Sequence, residues 1–382
     1  MNIGFDAKRY FHNNTGLGNY SRTLVNGLAF FFPEHEYFLF NPKVSNQYKA
    51  PALPHVHEIM PQLKMDRLFS SFWRSNRVIK DVKQNNISLY HGLSHEIPVG
   101  IQQSGIKSIV TIHDLIFERY PKQFNPIDVK IYRKKFMYAS RHANAIIAIS
   151  KQTKNDLVEF YGVEEKKIYT CYQSCDPAFT KQITAEVKES IRQKYNLPPE
   201  YFLYVGSIIE RKNLLGICKA LAITKTDVPL VVIGDGKKYK QQVKNFIVAA
   251  GLEKKVIFLL EMEVVIKDSM FQNAETFAAI YQMASALIYP SFFEGFGIPV
   301  LEGLASGIPV ITSNTSCLPE TGGPAAFYVN PANANEIAEA MEKVSEDDSL
   351  REKMIKDGLL HAQNFTLQKC TGSVMDVYKS LF

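Results

Sequence analysis

The sequence contains no uninterrupted apolar run near the roughly 18 residues that would cross a bilayer. Its first residues, MNIGFDAKRYF, carry no apolar stretch behind their charges. Neither a membrane span nor secretion through a standard signal peptide is expected, and the expected location is cytoplasmic. Cysteine is sparse, five residues at irregular spacings, and Cys171-x3-Cys175 lacks the second His or Cys pair that a zinc site needs. Reduced, structural thiols fit this pattern better than a disulfide framework. No Asp-x-Asp stands in a loop where a metal could bridge a diphosphate, and Asp347-Asp348 falls in a polar helical linker and reads as surface. Low-complexity tracts are also missing. No cofactor, metal site or nucleic-acid partner is expected.

What is present is a chain of 382 residues, 46% hydrophobic and 21% charged, long enough for two domains of soluble composition. The net charge of +6 is uneven. Residues 1–175 hold 23 Lys and Arg against 14 Asp and Glu (+9), whereas the remainder holds 21 against 24 (−3). The basic half suits an anionic membrane surface or an anionic acceptor, and equally an ordinary solvated surface.

In the first half, short apolar runs at residues 2–5, 36–41, 87–91, 108–112 and 145–149 alternate with helical patterns. A second series occupies residues 201–205, 230–234, 256–259, 286–289 and 310–311. Such alternation predicts parallel sheets covered by helices, here in two doubly wound units. The polar, turn-prone residues 173–180 read as the hinge between them. Ligands of such sheets bind beyond the carboxyl ends of the strands, so two facing units would share a cleft. Residues 64–83 place Met65, Leu68, Phe69, Phe72, Trp73, Ile79 and Val82 on one helical face, with Arg67, Arg74 and Lys80 mostly elsewhere. A continuous amphipathic helix is expected there, lying on its own sheet or on a membrane.

The nine residues Glu294-Gly295-Phe296-Gly297-Ile298-Pro299-Val300-Leu301-Glu302 are the most informative. They follow the apolar run 286–289, and Pro299 suits the first position of a helix, where its missing N–H costs nothing. Gly295 and Gly297 allow close backbone approach, and the helix start offers N–H groups to an anion such as a diphosphate. Two carboxylates beside an anion seat make sense if they accept hydrogen bonds from hydroxyls. Phosphate and sugar together describe a nucleotide sugar. A second glycine turn, Gly16-Leu17-Gly18, precedes the helical stretch 19–30 and suits a phosphate or an acceptor. It is no dinucleotide fingerprint, because Ser21 stands where a third glycine would follow.

The stretch 290–320, PSFFEGFGIPVLEGLASGIPVITSNTSCLPE, resembles the glutamate-x7-glutamate region of the retaining family 4 glycosyltransferases. Residues 15–20 (TGLGNY), 111–115 (TIHDL) and 204–213 (YVGSIIERKN) extend the resemblance over most of the chain in the family's order. It implies the α/β GT-B architecture, two facing doubly wound Rossmann-like domains with an interdomain cleft. The corresponding domains are an N-terminal acceptor-side domain at 1–175, a nucleotide-sugar-binding domain at 176–365, and a last helix at 366–382 that crosses back to the first.

The resemblance also implies roles. Glu294 would hold donor sugar hydroxyls and Glu302 the ribose. Arg211 and Lys212 would stabilise the departing diphosphate, and His113 would lie near the transfer centre with Asp114 orienting its loop. Gly16, Gly18, Gly206, Gly295, Phe296, Gly297 and Ile298 would line the donor. One departure matters: many members carry arginine directly after the strand's glycine and lysine five positions later. Here Ser207 fills the first place, so Lys212 carries over directly and Arg211 only by proximity. The implied partners are a nucleotide-diphosphate sugar and a glycan or lipid-linked saccharide, with peripheral contact at the inner membrane as one reading of the basic half. The implied reaction is metal-independent retaining transfer in surface-polysaccharide assembly, with GDP-mannose the first donor to consider. Two alternatives remain open at this point, a nucleotide-sugar 2-epimerase of the same architecture and a non-catalytic sugar-nucleotide-binding partner subunit. Residues 260–276 are longer than the family norm and transfer least.

Overall fold

The computed structural model describes residues 1–382 and divides into two compact units. The first comprises Met1–Ser174 together with Phe365–Phe382, the second Cys175–Asn364.

The sheet of the first unit is built from β1 (Asn2–Asp6), β2 (Glu36–Phe40), β3 (Val56–Ile59), β4 (Leu89–Gly92), β5 (Lys107–Ile112), β6 (Ala145–Ala148) and β7 (Ile168–Thr170). Its order is β3-β2-β1-β4-β5-β6-β7, and every neighbouring pair is parallel. The inner strands are mostly apolar because helices cover both faces, and β4 and β6 are buried throughout. Two strands lie outside the sequence expectation. β3 is a partly exposed edge with the pattern Val-His-Glu-Ile, and β7 closes the other edge with three residues; an edge strand needs little apolar signal.

The second unit has six parallel strands: β8 (Phe202–Val205), β9 (Leu230–Ile233), β10 (Val256–Phe258), β11 (Ala286–Tyr289), β12 (Val310–Ser313) and β13 (Phe327–Val329). They are arranged β10-β9-β8-β11-β12-β13. β13, another short edge strand, was not expected. Each sheet reverses its strand order once, at β1/β4 and at β8/β11. Loops leaving the carboxyl ends of those strands therefore diverge to opposite faces and leave a crevice where ligands of such sheets bind.

Three local expectations need correction. Residues 64–83 are not one helix. The chain forms turns at Lys64–Leu68 and Ser70–Phe72, a π-helical turn at Trp73–Arg77 and a helix at Val78–Gln84. The break falls at Phe69, whose backbone leaves the helical region (φ −103°, ψ 50°). Trp73, Val78 and Val82 enter the core, whereas Met65, Leu68, Phe69 and Phe72 face outward. The helix expected at 19–30 starts earlier, spanning Gly16–Phe31. The polar segment 173–180 is only partly a linker. Asp176 accepts the Ala178 N–H at 2.9 Å and caps a 3-10 turn at Pro177–Thr180. Phe179 is buried edge-on against Tyr281, with ring centroids 5.2 Å apart.

The helix Leu367–Lys379 packs on Gly16–Phe31 inside the first unit. Gly27 makes this approach possible, since a Cβ there would lie 2.7 Å from Thr371 Cγ2 and 2.8 Å from Leu367 Cδ1. No helix is long and apolar enough to cross a membrane.

Candidate active-site clusters

In the second unit, the loops after β8 and β11 meet at the point where the strand order reverses. The chain leaves β8 through Gly206, whose φ of +146° is open to glycine. A Cβ there would stand 2.9 Å from Lys212 Nζ, so the missing side chain is the space the lysine occupies. A 3-10 turn at Glu210–Lys212 then presents both cations, and Asn213 ends it in the left-handed conformation. The buried amide of Asn213 donates to the carbonyls of Pro290 (3.2 Å) and Pro331 (2.6 Å), tying this loop to the one after β11.

Glu294 gathers the cluster. Arg211 Nη1 lies 2.9 Å from its Oε1 and Lys212 Nζ 3.7 Å. Tyr289 and Ser291 donate hydroxyl hydrogen bonds to the same oxygen at 2.9 and 3.0 Å. Arg211, matched to the family pattern only by proximity, thus reaches the carboxylate, and it also donates to the Phe293 carbonyl. Burial by itself would raise the Glu294 carboxyl, but the Lys212 and Arg211 charges outweigh it and hold it below its ordinary value. Burial lowers Lys212, with Glu294 opposing and Arg211 reinforcing that shift.

The sequence marks Tyr289 only as the last residue of a strand, yet Lys212 donates to its phenol oxygen at 2.7 Å. The phenol stands between the ammonium and the carboxylate. Alternation along β11 could have placed its side chain, but nothing in the sequence shows that its hydroxyl has this task.

The glycine turn behaves as its residues require. Gly297 has φ +95° and forms the N-cap of the helix Ile298–Ala305, one residue earlier than Pro299 suggested. A Cβ on it would lie 2.7 Å from Leu318 Cδ2. Phe296 is buried, and Thr321 donates to its carbonyl. Gly295 is buried and Ile298 partly exposed. Glu302 lies one turn into the helix and accepts the Tyr281 hydroxyl at 2.8 Å. Burial, with Asp176 adding to it, pushes the Glu302 carboxyl up to about 7 against the Tyr281 bond and Lys212. The two signature glutamates therefore differ sharply: Glu294 is a paired anion and Glu302 titrates near neutrality.

In the first unit, His113 follows β5 and is 5% exposed. Its Nε2 lies 2.9 Å from the Leu93 carbonyl, which can only accept, so Nε2 carries the proton and Nδ1 the lone pair. Burial lowers the imidazole to about 4, the Leu93 bond opposing and Arg9 adding to the shift. A neutral histidine results, able to accept from a hydroxyl and unsuited to serve as a cation. Asp114 accepts the Ile116 N–H at 3.1 Å, fixing the following turn. The edge of Tyr20 packs on His113 at 4.6 Å. Behind it runs a buried network absent from the sequence reading: Tyr20 to Thr111 (3.0 Å), Thr111 to His91 Nε2 (2.8 Å), and His91 Nδ1 to Tyr378 (2.6 Å).

The other glycine pair separates. Gly16 opens the helix with no atom near the position of a Cβ, leaving room for a ligand. Gly18 has a different task. Its N–H goes to Thr15 O (2.9 Å) and Asn13 Oδ1 (3.0 Å), and a Cβ would fall 1.9 Å from the Asn13 carbonyl oxygen. It is required by packing of the preceding loop and has no N–H left for a donor. Asp347 and Asp348 serve their own helix, with Asp347 capping Leu350 at 2.9 Å and Asp348 paired with Arg351. No group of three or more His, Cys, Asp or Glu is placed to hold a metal ion. All five cysteines are buried, and none forms a disulfide.

Comparison with known proteins places these clusters in context. The Glycosyltransferase Family 4 model matches residues 14–179, and the Glycosyl transferases group 1 model matches residues 187–360. O-antigen chain mannosyltransferase B of Escherichia coli is 27% identical over 398 residues, covering 100% of both chains. O-antigen chain mannosyltransferase RfbU of Salmonella typhimurium is 27% identical over 276 residues, 72% of this chain and 69% of that protein. Among solved structures, Anabaena Alr3699/HepE in complex with UDP-glucose aligns with TM-score 0.74 at 16% identity, covering 100% of both chains.

Proposed function

The chain belongs to the group 1/family 4 glycosyltransferases and has their GT-B fold, and on that premise we propose that it transfers mannose from GDP-mannose, with retention, to a glycan or lipid-linked saccharide. The setting would be surface-polysaccharide assembly at the cytoplasmic face of the membrane. The observation that carries the reading is Arg211 and Lys212 converging with Glu294 where the second sheet reverses its strand order. Buried cations at a helix-flanked crevice suit a diphosphate, and a carboxylate among them suits sugar hydroxyls. Mannose is supported by the mannosyltransferase names of relatives that match along much or all of the chain.

In this reading the anomeric carbon's bond to the diphosphate oxygen breaks, and the electron pair leaves with the diphosphate. Arg211 and Lys212, now shared between Glu294 and the phosphate, stabilise that charge. The acceptor hydroxyl forms the new bond on the same face, and its proton passes to the departing phosphate oxygen, so no protein base is needed. Glu294 holds donor sugar hydroxyls, and Glu302 accepts from the ribose. Neutral His113 accepts a sugar hydroxyl at Nδ1. The backbone of Gly206, Gly295, Gly297 and Ile298 lets the donor lie close, and the open space at Gly16 in the first unit suits a ligand.

The test is nucleotide release from a panel of donors, with and without lipid-linked saccharide acceptors, followed by NMR of the product. Acceptor-dependent GDP release and an α-mannoside are expected. Turnover of UDP-glucose in place of GDP-mannose would overturn the donor assignment, and a β-linked product the retaining one. Acceptor-independent conversion of a UDP-sugar would instead favour the epimerase.

A further inference from the structure

We infer that Ser316 and Cys317, in the loop after β12, are positioning residues for the transfer reaction, fixing the backbone from which Glu294 reaches the donor sugar. This rests on the sugar-holding role proposed for Glu294. Ser316 Oγ accepts the Glu294 N–H at 3.1 Å, and the fully buried Cys317 thiol donates to the Glu294 carbonyl at 3.0 Å. Two consecutive side chains thus take both backbone groups of the residue whose carboxylate gathers Arg211, Lys212, Tyr289 and Ser291 at its other end.

The arrangement requires a strained backbone. Consecutive side chains of an extended chain point to opposite faces, so the chain must turn for both to reach one residue. Ser316 makes that turn at φ +53°. The other non-glycine residues at positive φ are Asn86, His95, Asn196 and Asn213, of the types that enter the left-handed region most readily, and serine stands apart from them. Strain of this kind persists only where surrounding bonds enforce it, and it collects at sites whose geometry serves function.

The two contacts belong to a wider pattern. Thr312 donates to the Tyr289 carbonyl at 2.8 Å, Thr315 to that of Phe292 at 3.0 Å, and Ser313 and Thr321 to those of Ser291 and Phe296. With Cys317, five side chains between Thr312 and Thr321 hold carbonyls at the end of β11 and in the loop that carries Glu294. Four of the five are fully buried, so these carbonyls are drawn into the unit and kept from turning toward a departing diphosphate, whose charge they would oppose. Ser316 alone among these side chains accepts an N–H, and it sets the height of Glu294 in the loop.

Ser316→Gly separates position from stability. Glycine adopts φ +53° without strain, so this variant is expected to melt at or above the parent's temperature while losing the bond to Glu294. Its kcat should nevertheless fall about tenfold, with a smaller change in KM for the donor. Cys317→Ala should lose turnover similarly, and Cys317→Ser, which keeps a donor to the Glu294 carbonyl, should recover most of it. The measurements are steady-state kinetics on the nucleotide sugar that the parent turns over best, and thermal melts of each variant. Unchanged kcat in Ser316→Gly and Cys317→Ala, or a loss of turnover that only accompanies a lowered melting temperature, would overturn the inference. A parent that turns over no nucleotide sugar would instead overturn the proposed function, and this inference would fall with it.

Discussion

Tyr289 Oη lies 2.7 Å from Lys212 Nζ and 2.9 Å from Glu294 Oε1, so one phenol links the cation and the anion of the candidate donor site. Because Glu294 and Lys212 are themselves 3.7 Å apart, the phenol is what fixes the direction of the ammonium. Tyr289→Phe keeps the buried ring and removes only this link. Turnover is expected to fall about tenfold with little change in KM for the donor, the pattern of a group that acts in the transition state. Steady-state kinetics with varied donor checks it, and an unchanged kcat would leave Tyr289 as packing alone.

Lys212 itself should matter more. Its removal takes away a charge seated over Gly206, and Lys212→Ala is expected to lower kcat by about 100-fold or more, with a smaller effect on donor affinity. Lys212→Arg should not rescue, because only the missing Cβ of Gly206 makes room for the ammonium, 2.9 Å from that position. Full turnover in either variant would move the phosphate site elsewhere.

These two residues also mark what the sequence made legible. Lys212 and the two glutamates stand in a motif whose spacing shows through, whereas Tyr289 reads as one more apolar strand residue. Inner strands were readable because helices on both faces force unbroken apolar runs, as in Ala145–Ala148. Val56–Ile59 and Phe327–Val329 were not, since a short edge strand is half wet and carries little pattern. Gly16-x-Gly18 looked like one device because composition cannot distinguish a glycine open to ligand from one pressed against the Asn13 carbonyl. The stripe at 64–83 misled for a related reason: periodicity records which residues are apolar, and it carries no trace of the break at Phe69.

Glu302 gives a pH signature. Its carboxyl is raised from 4.5 to about 7 in the folded chain, so the folded state binds the extra proton between those values and stability falls as pH rises through that window. Glu302→Gln should therefore be more stable than the parent at pH 8, by about 1 to 3 kcal/mol, with the difference shrinking towards zero near pH 4.5. Urea melts at several pH values measure this. Glu302→Ala should weaken nucleotide binding by about 1 to 3 kcal/mol by calorimetry, and unchanged affinity would remove the ribose role.

Activity should survive exhaustive chelation. Arg211, Lys212 and the start of the helix Ile298–Ala305 supply the positive charge that a divalent ion would otherwise bring to the diphosphate. Loss of turnover that manganese or magnesium restores would contradict this.

The last helix should prove integral to the first unit. Tyr378 is fully buried and 287 positions from His91, its hydrogen-bond partner at 2.6 Å. Burial holds His91 down at about 3, the nearby His113 adding to it, so the imidazole is neutral and depends on Tyr378 and Thr111 for both nitrogens. Tyr378→Phe leaves one buried nitrogen without a partner and should cost about 1 to 3 kcal/mol. A chain ending at Phe365 loses that bond and also uncovers Gly27 and the apolar face of Gly16–Phe31 that Thr371 and Leu367 pack against. It should lose cooperative unfolding of the first unit and all transfer activity. Because a depressed histidine withholds stability as pH falls below its ordinary 6.5, the parent and Tyr378→Phe should both lose stability in mildly acidic buffer, with the difference between them constant while His91 stays neutral in both. Differential scanning calorimetry of both variants between pH 5 and 8 decides the matter, and native melting with full turnover in the truncated chain would refute the role given to this helix.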